Sequence, residues 1–263
     1  MGNSTEPLRG QIALVTGAGS EAGIGFATAR RLATMGARVF ITSTTDRCHQ
    51  RAKTLVTEGF EVDAFAADLM NAAQVDALVA RVHDVLGPIA LLVNNAGMTS
   101  VLDPMDAMRR AHELGQARWS HIIERNLSTC FAVTARVLPD MLHLGRGRIV
   151  NVASTTGVTG AMLGESAYAA AKAGVAGFTR AVALEYAAHG ITANAVAPGW
   201  IATGSQTTDE ALQGQASPVG RSGTPDEVAH IIAMLCAPDA GYVTGQCLVV
   251  DGGNAIAEER RGR

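Results

Sequence analysis

The sequence predicts an α/β fold, a doubly wound parallel sheet with helices on both faces. Three observations carry this expectation. Short β-rich apolar runs alternate with longer helix-like stretches along the whole chain. The apolar runs are largely unalternated, as strands covered on both faces are. The glycine-rich stretches fall where those strands end, and successive right-handed crossovers distribute the intervening helices over the two faces.

In chain order, the first strand is Gln11–Thr16, and the run from Gly17 leads into a helix over Gly23–Met35. Arg38–Thr42 is the second strand and Asp46–Glu58 its helix. Val62–Ala66 is the third, followed by Ala72–Leu86, where Val75, Leu78, Val79, Val82 and Val85 recur at helical spacing. Strand four, Ala90–Asn94, precedes a long helix over Trp119–Met141, and strand five, Arg148–Ala153, one over Ala167–Ala188. Thr192–Ala197, a helix over Asp226–Cys236 and the strand Cys247–Val250 complete the series. With no repeat, linker or low-complexity segment between them, a single domain over 1–263 is expected, with 1–7 and 254–263 as terminal extensions.

Composition narrows the function. Hydrophobic residues make up 48% of the 263, ample for a buried core. Charged residues make up 17%, below the roughly 25% usual in soluble domains, which points to surface buried between subunits. A net charge of −3 gives no reason to expect nucleic acid. Cys48, Cys130, Cys236 and Cys247 lie far apart without CxxC spacing, so neither a disulfide framework nor a metal site is expected. No window approaches the ~18 apolar residues of a membrane span, and Met1–Gly10 lacks an apolar signal core. A cytoplasmic protein with no membrane partner is the expectation.

The first strand runs into Thr16-Gly17-Ala18-Gly19-Ser20-Glu21-Ala22-Gly23-Ile24-Gly25. Glycines suit a tight turn that a pyrophosphate must approach, its charge meeting free N–H groups at the positive end of the next helix. Strand four ends in Asn94-Asn95-Ala96-Gly97, and Asp68-Leu69 come just after strand three. In open α/β sheets ligands bind outside the carboxyl ends of strands, so both runs lie where a dinucleotide would, Asp68 and Leu69 towards adenine.

Tyr168 and Lys172 stand four apart in a helical stretch, so their side chains share one face. A free phenol ionises near pH 10, and an ammonium one turn away favours the phenolate. Tyrosine could then act as general acid or base towards a substrate oxygen. Ser154, at the end of strand five, could hold that oxygen as a polarising donor. Asn126, polar among apolar neighbours, could hold a water that relays protons to Lys172.

Together these residues resemble the short-chain dehydrogenase/reductase family over roughly Leu8 to Gly253. The resemblance continues through Pro198-Gly199-Trp200-Ile201-Ala202-Thr203 and ends in Asp251-Gly252-Gly253. It implies a seven-stranded Rossmann fold and hydride transfer between a nicotinamide and a substrate carbon, with Asn126, Ser154, Tyr168 and Lys172 as the catalytic set. It further implies that Lys172 bonds the nicotinamide ribose, that Thr203 contacts the carboxamide, and that Asn94 helps to position the cofactor. Gly17, Gly23, Ile24, Gly25, Ala96, Gly97, Pro198, Gly199 and Ile201 are the remaining cofactor contacts so implied.

Three features depart from the family pattern. The glycine loop is two residues longer than usual, with Glu21 and Ala22 the extras. Ser154 and Tyr168 are one position further apart than is common. The segment 99–120 is several residues longer than in a minimal member, which assigns it to the substrate entrance or to a contact with another subunit.

The expected partner is a small carbonyl or alcohol substrate. Pro218-Val219-Gly220-Arg221 and Pro225-Asp226-Glu227-Val228-Ala229 most resemble 3-oxoacyl-acyl-carrier-protein reductases. Dehydrogenation of another secondary alcohol (a sugar, polyol, steroid or xenobiotic), an epimerase or dehydratase on the same scaffold, and an inactive cofactor-binding relative stand as alternatives. The stretch Gly204–Ser217 reads as polar and flexible. A homo-oligomer, tetramer or dimer, is expected from the low charged fraction and the small residues Ala169, Ala170, Ala171, Ala173, Gly174, Ala176 and Gly177.

An NAD site wants a carboxylate at the end of strand two, about twenty residues past the glycine loop. Counting 18 on from Gly25 reaches Ser43, within Ile41-Thr42-Ser43-Thr44-Thr45-Asp46-Arg47. No acid stands there, while Ser43, Thr44 and Thr45 offer hydroxyls and Arg47 a charge for a 2′-phosphate. NADP(H) is therefore expected in preference to NAD(H). Against it stand Asp46, close enough to reach the ribose, and Glu21 in the first turn.

Overall fold

In the computed structural model, which describes residues 6–97 and 108–258, seven parallel strands form one sheet. The elements are β1 Ile12–Thr16, α1 Ile24–Thr34, β2 Arg38–Ser43, α2 Arg47–Thr57, β3 Val62–Ala66, α3 Ala72–Val85, β4 Leu91–Asn94, α4 Gln116–Ile123 and α5 Thr129–Leu144. They continue with β5 Gly147–Val152, a single turn α6 Thr155–Val158, α7 Ser166–Tyr186, β6 Ile191–Pro198, α8 Thr208–Gln215, α9 Pro225–Cys236 and β7 Cys247–Val250. The strand order is β3-β2-β1-β4-β5-β6-β7, and every pairing is parallel. All seven expected strands are present, each end within one residue of its expected place.

The unalternated runs are buried on both faces, as β1 and β6 are throughout. One face packs on α1, α2 and α9 through Phe26, Leu32, Leu55, Val228, Ile232 and Leu235. The other packs on α3, α5 and α7 through Leu78, Val82, Val133, Val137 and Val182. The chain reverses direction across the sheet between β1 and β4, opening a crevice at their carboxyl ends where ligands of such sheets bind.

The structure corrects two expectations of local structure. Gly204–Ser217 is not irregular, because Thr208–Gln215 is helical. Thr207 Oγ1 accepts from the Glu210 N–H (3.2 Å) while the Glu210 carboxylate accepts from the Thr207 N–H (2.7 Å). The reciprocal cap was legible as Thr207-Thr208-Asp209-Glu210 and offsets the missing apolar periodicity. The long helix after β4 starts at Gln116 and carries a π-turn over Glu124–Ser128 between α4 and α5. Asn126 lies in that turn and is 1% exposed.

Of the long segment 99–120, residues 98–107 lie outside the described residues, as do 1–5 and 259–263 of the terminal extensions. Further on, the Arg109 N–H bonds Gly164 O at 3.1 Å, so this segment meets the turn that leads into α7.

One glycine sets the distance between α6 and α7. Gly157 has φ +102°, and a Cβ there would lie 2.3 Å from Ala169 O and 2.9 Å from Ala173 N. Gly157→Ala should therefore strain the backbone and push α7 outward, costing at least about 2 kcal/mol. The expected drop in Tm is roughly 4–8 °C, with impaired turnover because Tyr168 and Lys172 ride on α7; calorimetry and an activity assay check both.

Candidate active site

At the crevice, β1 and β4 are locked together by Thr16 and Asn95. Thr16 Oγ1 accepts from the backbone N–H groups of Asn95 and Ala96, both at 3.0 Å. The Asn95 amide in turn donates to Thr16 O and Gly17 O, both at 3.0 Å. Gly17 has φ +69°, and a Cβ on it would meet the Ala96 backbone at 2.8 Å, so only glycine fits. Sequence reading had assigned no role to Thr16 or Asn95; their polar side chains at two facing strand ends were the available signal.

The residues expected at the dinucleotide converge on this crevice. Gly23 precedes α1, which begins at Ile24 and Gly25 with no capping side chain and no acid in its first turn. By contrast α3, α8 and α9 are capped by Asn71, Thr207 and Thr224. The first N–H groups of α1 are thus left for an anion, as a pyrophosphate requires. Ala96 and Gly97 follow β4, Pro198 ends β6, and Gly199, Ile201 and Thr203 follow it. Gly199 packs so tightly on Asp251 that a Cβ would come within 2.6 Å of it.

Asn94 and Leu69 differ from the expectation. The Asn94 side chain is turned into the core, donating to Thr134 Oγ1 (2.8 Å) and Asn151 Oδ1 (2.9 Å). Asn151 donates onward to Thr179 Oγ1 at 2.9 Å. Asn94 Oδ1 has no partner among the described residues, but the bonds from its Nδ2 and from Asn151 tie β4 and β5 to α5 and α7. Its side chain therefore fixes the strand end rather than reaching towards a cofactor. The Leu69 side chain is likewise buried among core residues, while Asp68 is exposed at the end of β3 and accepts from the Met70 N–H at 3.0 Å.

At the end of β2, the Ser43 hydroxyl donates to Thr45 O (2.7 Å) and Arg47 Nε donates to Thr45 Oγ1 (3.1 Å). Ser43 thus spends its proton on its own turn and keeps acceptor capacity. Thr44 and Arg47 are exposed. Asp46 leans along α2 to His49, 3.5 Å away, with its side chain 92% exposed.

Asn126, Ser154, Tyr168 and Lys172 come together beside the β4 and β5 ends. Ser154 lies near enough to the Tyr168 hydroxyl to favour its ionised form, while Ser154 Oγ accepts from the Thr156 N–H at 3.1 Å. Lys172 is 1% exposed, and its Nζ donates to Gly97 O (3.2 Å) and Val152 O (3.0 Å) while lying 5.6 Å from the Tyr168 ring centroid. Asn126 donates to Ile122 O at 3.1 Å. Its buried Oδ1 has no partner among the described residues. An unmatched buried acceptor costs about 1–3 kcal/mol, and this one is beside Gly97, whose carbonyl holds Lys172. A water received there would join Asn126 to the lysine.

The expected depression of the tyrosine pKa by Lys172 is absent. Although part of its surface reaches the crevice, loss of hydration pushes the Tyr168 phenol up to about 12, the nearby Ser154 hydroxyl opposing and the Glu165 and Glu210 carboxylates adding to the rise. Burial also brings Lys172 down to about 8, opposed by nearby Cys130. Desolvation outweighs the mutual attraction because Lys172 is bonded to two backbone carbonyls and lies beside the ring, not at the hydroxyl. At neutral pH the phenol is protonated and the lysine still largely charged. Glu165, only 7% exposed and one turn before Tyr168, is a further site residue that the sequence reading did not single out.

The family model described as enoyl-(acyl carrier protein) reductase matches residues 17–255. The chain is similar to 3-oxoacyl-acyl-carrier-protein reductase of Vibrio cholerae, 40% identical over 94% of this chain and 98% of the relative. It is nearly as similar to cis-4-hydroxycyclohexanecarboxylate dehydrogenase of Sinomonas cyclohexanicum, 39% identical over 94% and 98%. Among solved structures, an actinorhodin polyketide ketoreductase variant crystallised with NADPH superposes with a TM-score of 0.85 and 39% identity, over 94% of this chain and 98% of that one.

Two outcomes test the constellation. Tyr168→Phe keeps the ring but removes the proton, so turnover should fall at least ~10²-fold with little change in cofactor affinity; near-normal turnover would rule the tyrosine out. In the free enzyme, Lys172 is charged below about pH 8 and neutral above it. The kcat/KM for carbonyl reduction should accordingly stay level up to that pH and decline beyond it, as a pH–rate profile would record.

Proposed function

The chain belongs to the short-chain dehydrogenase/reductase family, and from that premise we propose a ketone reductase in which Tyr168 is the proton donor and NADPH the preferred cofactor. The reaction class, NAD(P)(H)-dependent interconversion of a carbonyl and an alcohol, follows from the family. The observation that carries the finer reading is the convergence of Ser154, Tyr168 and Lys172 at the strand ends, where Lys172 Nζ lies 5.6 Å from the Tyr168 ring centroid and loss of hydration pushes the phenol up to about 12. A phenol in that state is ready to give a proton, the need of the reductive direction.

The nicotinamide cofactor, when bound, supplies the hydride. Ser154 hydrogen-bonds the substrate oxygen and polarises the carbonyl, and Tyr168 delivers the proton to that oxygen. Lys172, anchored by Gly97 O and Val152 O, holds its charge beside the tyrosine as the proton leaves, and Asn126 Oδ1 receives the relay water. The glycine loop, the open N-terminus of α1 and the strand ends at Asp68, Ala96 and Thr203 bind the dinucleotide.

The NADPH preference rests on the β2 end. No carboxylate stands at Ser43 or Thr44, Arg47 uses only Nε on Thr45, and Asp46 points along α2 to His49. The NADPH-bound ketoreductase of similar fold agrees with this choice. A 3-oxoacyl thioester is the first substrate class, after the Vibrio cholerae relative. A neutral hydroxyketone is the second, favoured by the Glu165 and Glu210 carboxylates whose field reaches Tyr168, since they would repel an anionic carrier.

The protein acts as a cytoplasmic homo-oligomer in this reading. Among the described residues, no helix is long and apolar enough to cross a membrane. The outer faces of α5 and α7 expose Phe131 (57%) and Leu184 (85%), with Phe131 set edge-on to Phe178 at 6.1 Å. Such a face fits a second copy better than water.

Reduction rates with NADPH and NADH on acetoacetyl-CoA and on a panel of hydroxyketones test the catalytic reading; preference for NADH, or no turnover on any carbonyl, would overturn it. Light scattering should give a multiple of the 27.2 kDa chain mass, and Leu184→Glu, which buries a charge if the face is an interface, should shift it towards the single chain.

A further inference from the structure

The loop Ser20–Ala22 brings a carboxylate to α2, the helix that follows the end of β2. Just before it, Gly19 packs on the end of β2, where a Cβ would lie 2.8 Å from Ser43 Oγ and 3.5 Å from Arg47 Cβ. Glu21 follows two residues later and is 78% exposed. An acid near this strand end repels a 2′-phosphate and suits free ribose hydroxyls. The charge of Glu21 is met by α2, however: Arg51 Nη1 lies 2.7 Å from Glu21 Oε2.

Arg51 is well placed for the task. It stands one helical turn after Arg47, so the two guanidinium groups share a face of α2. Its side chain is only 17% exposed, and its guanidinium lies over the Phe26 ring, 5.6 Å from the centroid. The loop is tied on its other side too, where the Gly204 N–H donates to Ala22 O at 3.1 Å. With both anchors in place, Glu21, Arg47 and Arg51 together present one net positive charge.

We propose that Arg51 is a cofactor-selectivity residue, which cancels the Glu21 carboxylate beside the adenosine ribose and so admits the 2′-phosphate of NADP(H). This rests on the cofactor reading above. Its stabilising value is minor, because a half-exposed ion pair contributes little to folding. What changes with Arg51 is the net charge that the phosphate meets, which falls from plus one to zero without it. Removing it leaves Glu21 with its loop still tied by the Ala22–Gly204 bond and without its ion-pair partner, so that it offsets the charge of Arg47.

The test is direct binding of NADPH and of NADH, by nicotinamide fluorescence titration at low salt, to the unmodified protein and three variants. Arg51→Gln should weaken NADPH about tenfold and NADH by less than about twofold, the asymmetry expected when only the charge beside a phosphate changes. Glu21→Gln should tighten NADPH, and Glu21→Gln with Arg51→Gln should restore NADPH affinity to near that of the unmodified protein. Raising the salt should shrink the difference between the cofactors. Equal loss of both cofactors in Arg51→Gln would make the pair a mere loop fastening and overturn the proposal, as would failure of Glu21→Gln to rescue it. The NADPH-to-NADH ratio of the unmodified protein tests the cofactor reading separately, since the proposal is judged on how that ratio changes.

Discussion

The joint between Thr16 and Asn95 is the constraint on which the crevice depends. Parallel strands leave their carboxyl ends as loose chain, and at the point where the sheet order reverses two such ends must diverge without falling apart. One hydroxyl and one carboxamide close that gap with four hydrogen bonds at 3.0 Å. The same bonds shape the glycine turn after β1 and the Ala96–Gly97 turn after β4. Gly97 O then becomes an anchor for Lys172, so the joint is linked through two turns to the proposed proton donor.

Behind it lies a second layer of buried polar bonds. Asn94, Thr134, Asn151 and Thr179 are each 4% exposed or less and join the central strands to α5 and α7. Apolar contacts would bury area equally well but would allow the helices to slide. Directional bonds in a low-dielectric interior set their register, and α7 carries Tyr168 and Lys172 in that register.

The electrostatics of the site follow from its dryness. Tyr168 and Lys172 are both pushed towards their neutral forms by loss of hydration, the reverse of what their sequence spacing suggests. Spacing reports that two side chains share a helix face; it does not report which backbone carbonyls compete for the ammonium or how much water remains. Asn126 shows the same limit. Its polarity among apolar neighbours was visible, but the π-turn that carries it and the unpartnered Oδ1 beside Gly97 arise from packing.

Unalternated apolar runs and helical periods determined the strands and the order of elements, because burial on both faces of a parallel sheet leaves a one-dimensional record. Glycines at strand ends and the Tyr168–Lys172 spacing were legible for the same reason, as local requirements of backbone and helix geometry. Thr207 and Glu210 belonged to that readable class, their cap being local as well. The inward turn of Asn94, the clasp of Asn95 on Gly17, the pairing of Glu21 with Arg51 and the direction of the Tyr168 shift were decided only in three dimensions. Each depends on groups distant in sequence sharing a small, poorly hydrated space, where distance and desolvation, not residue type, set the interaction.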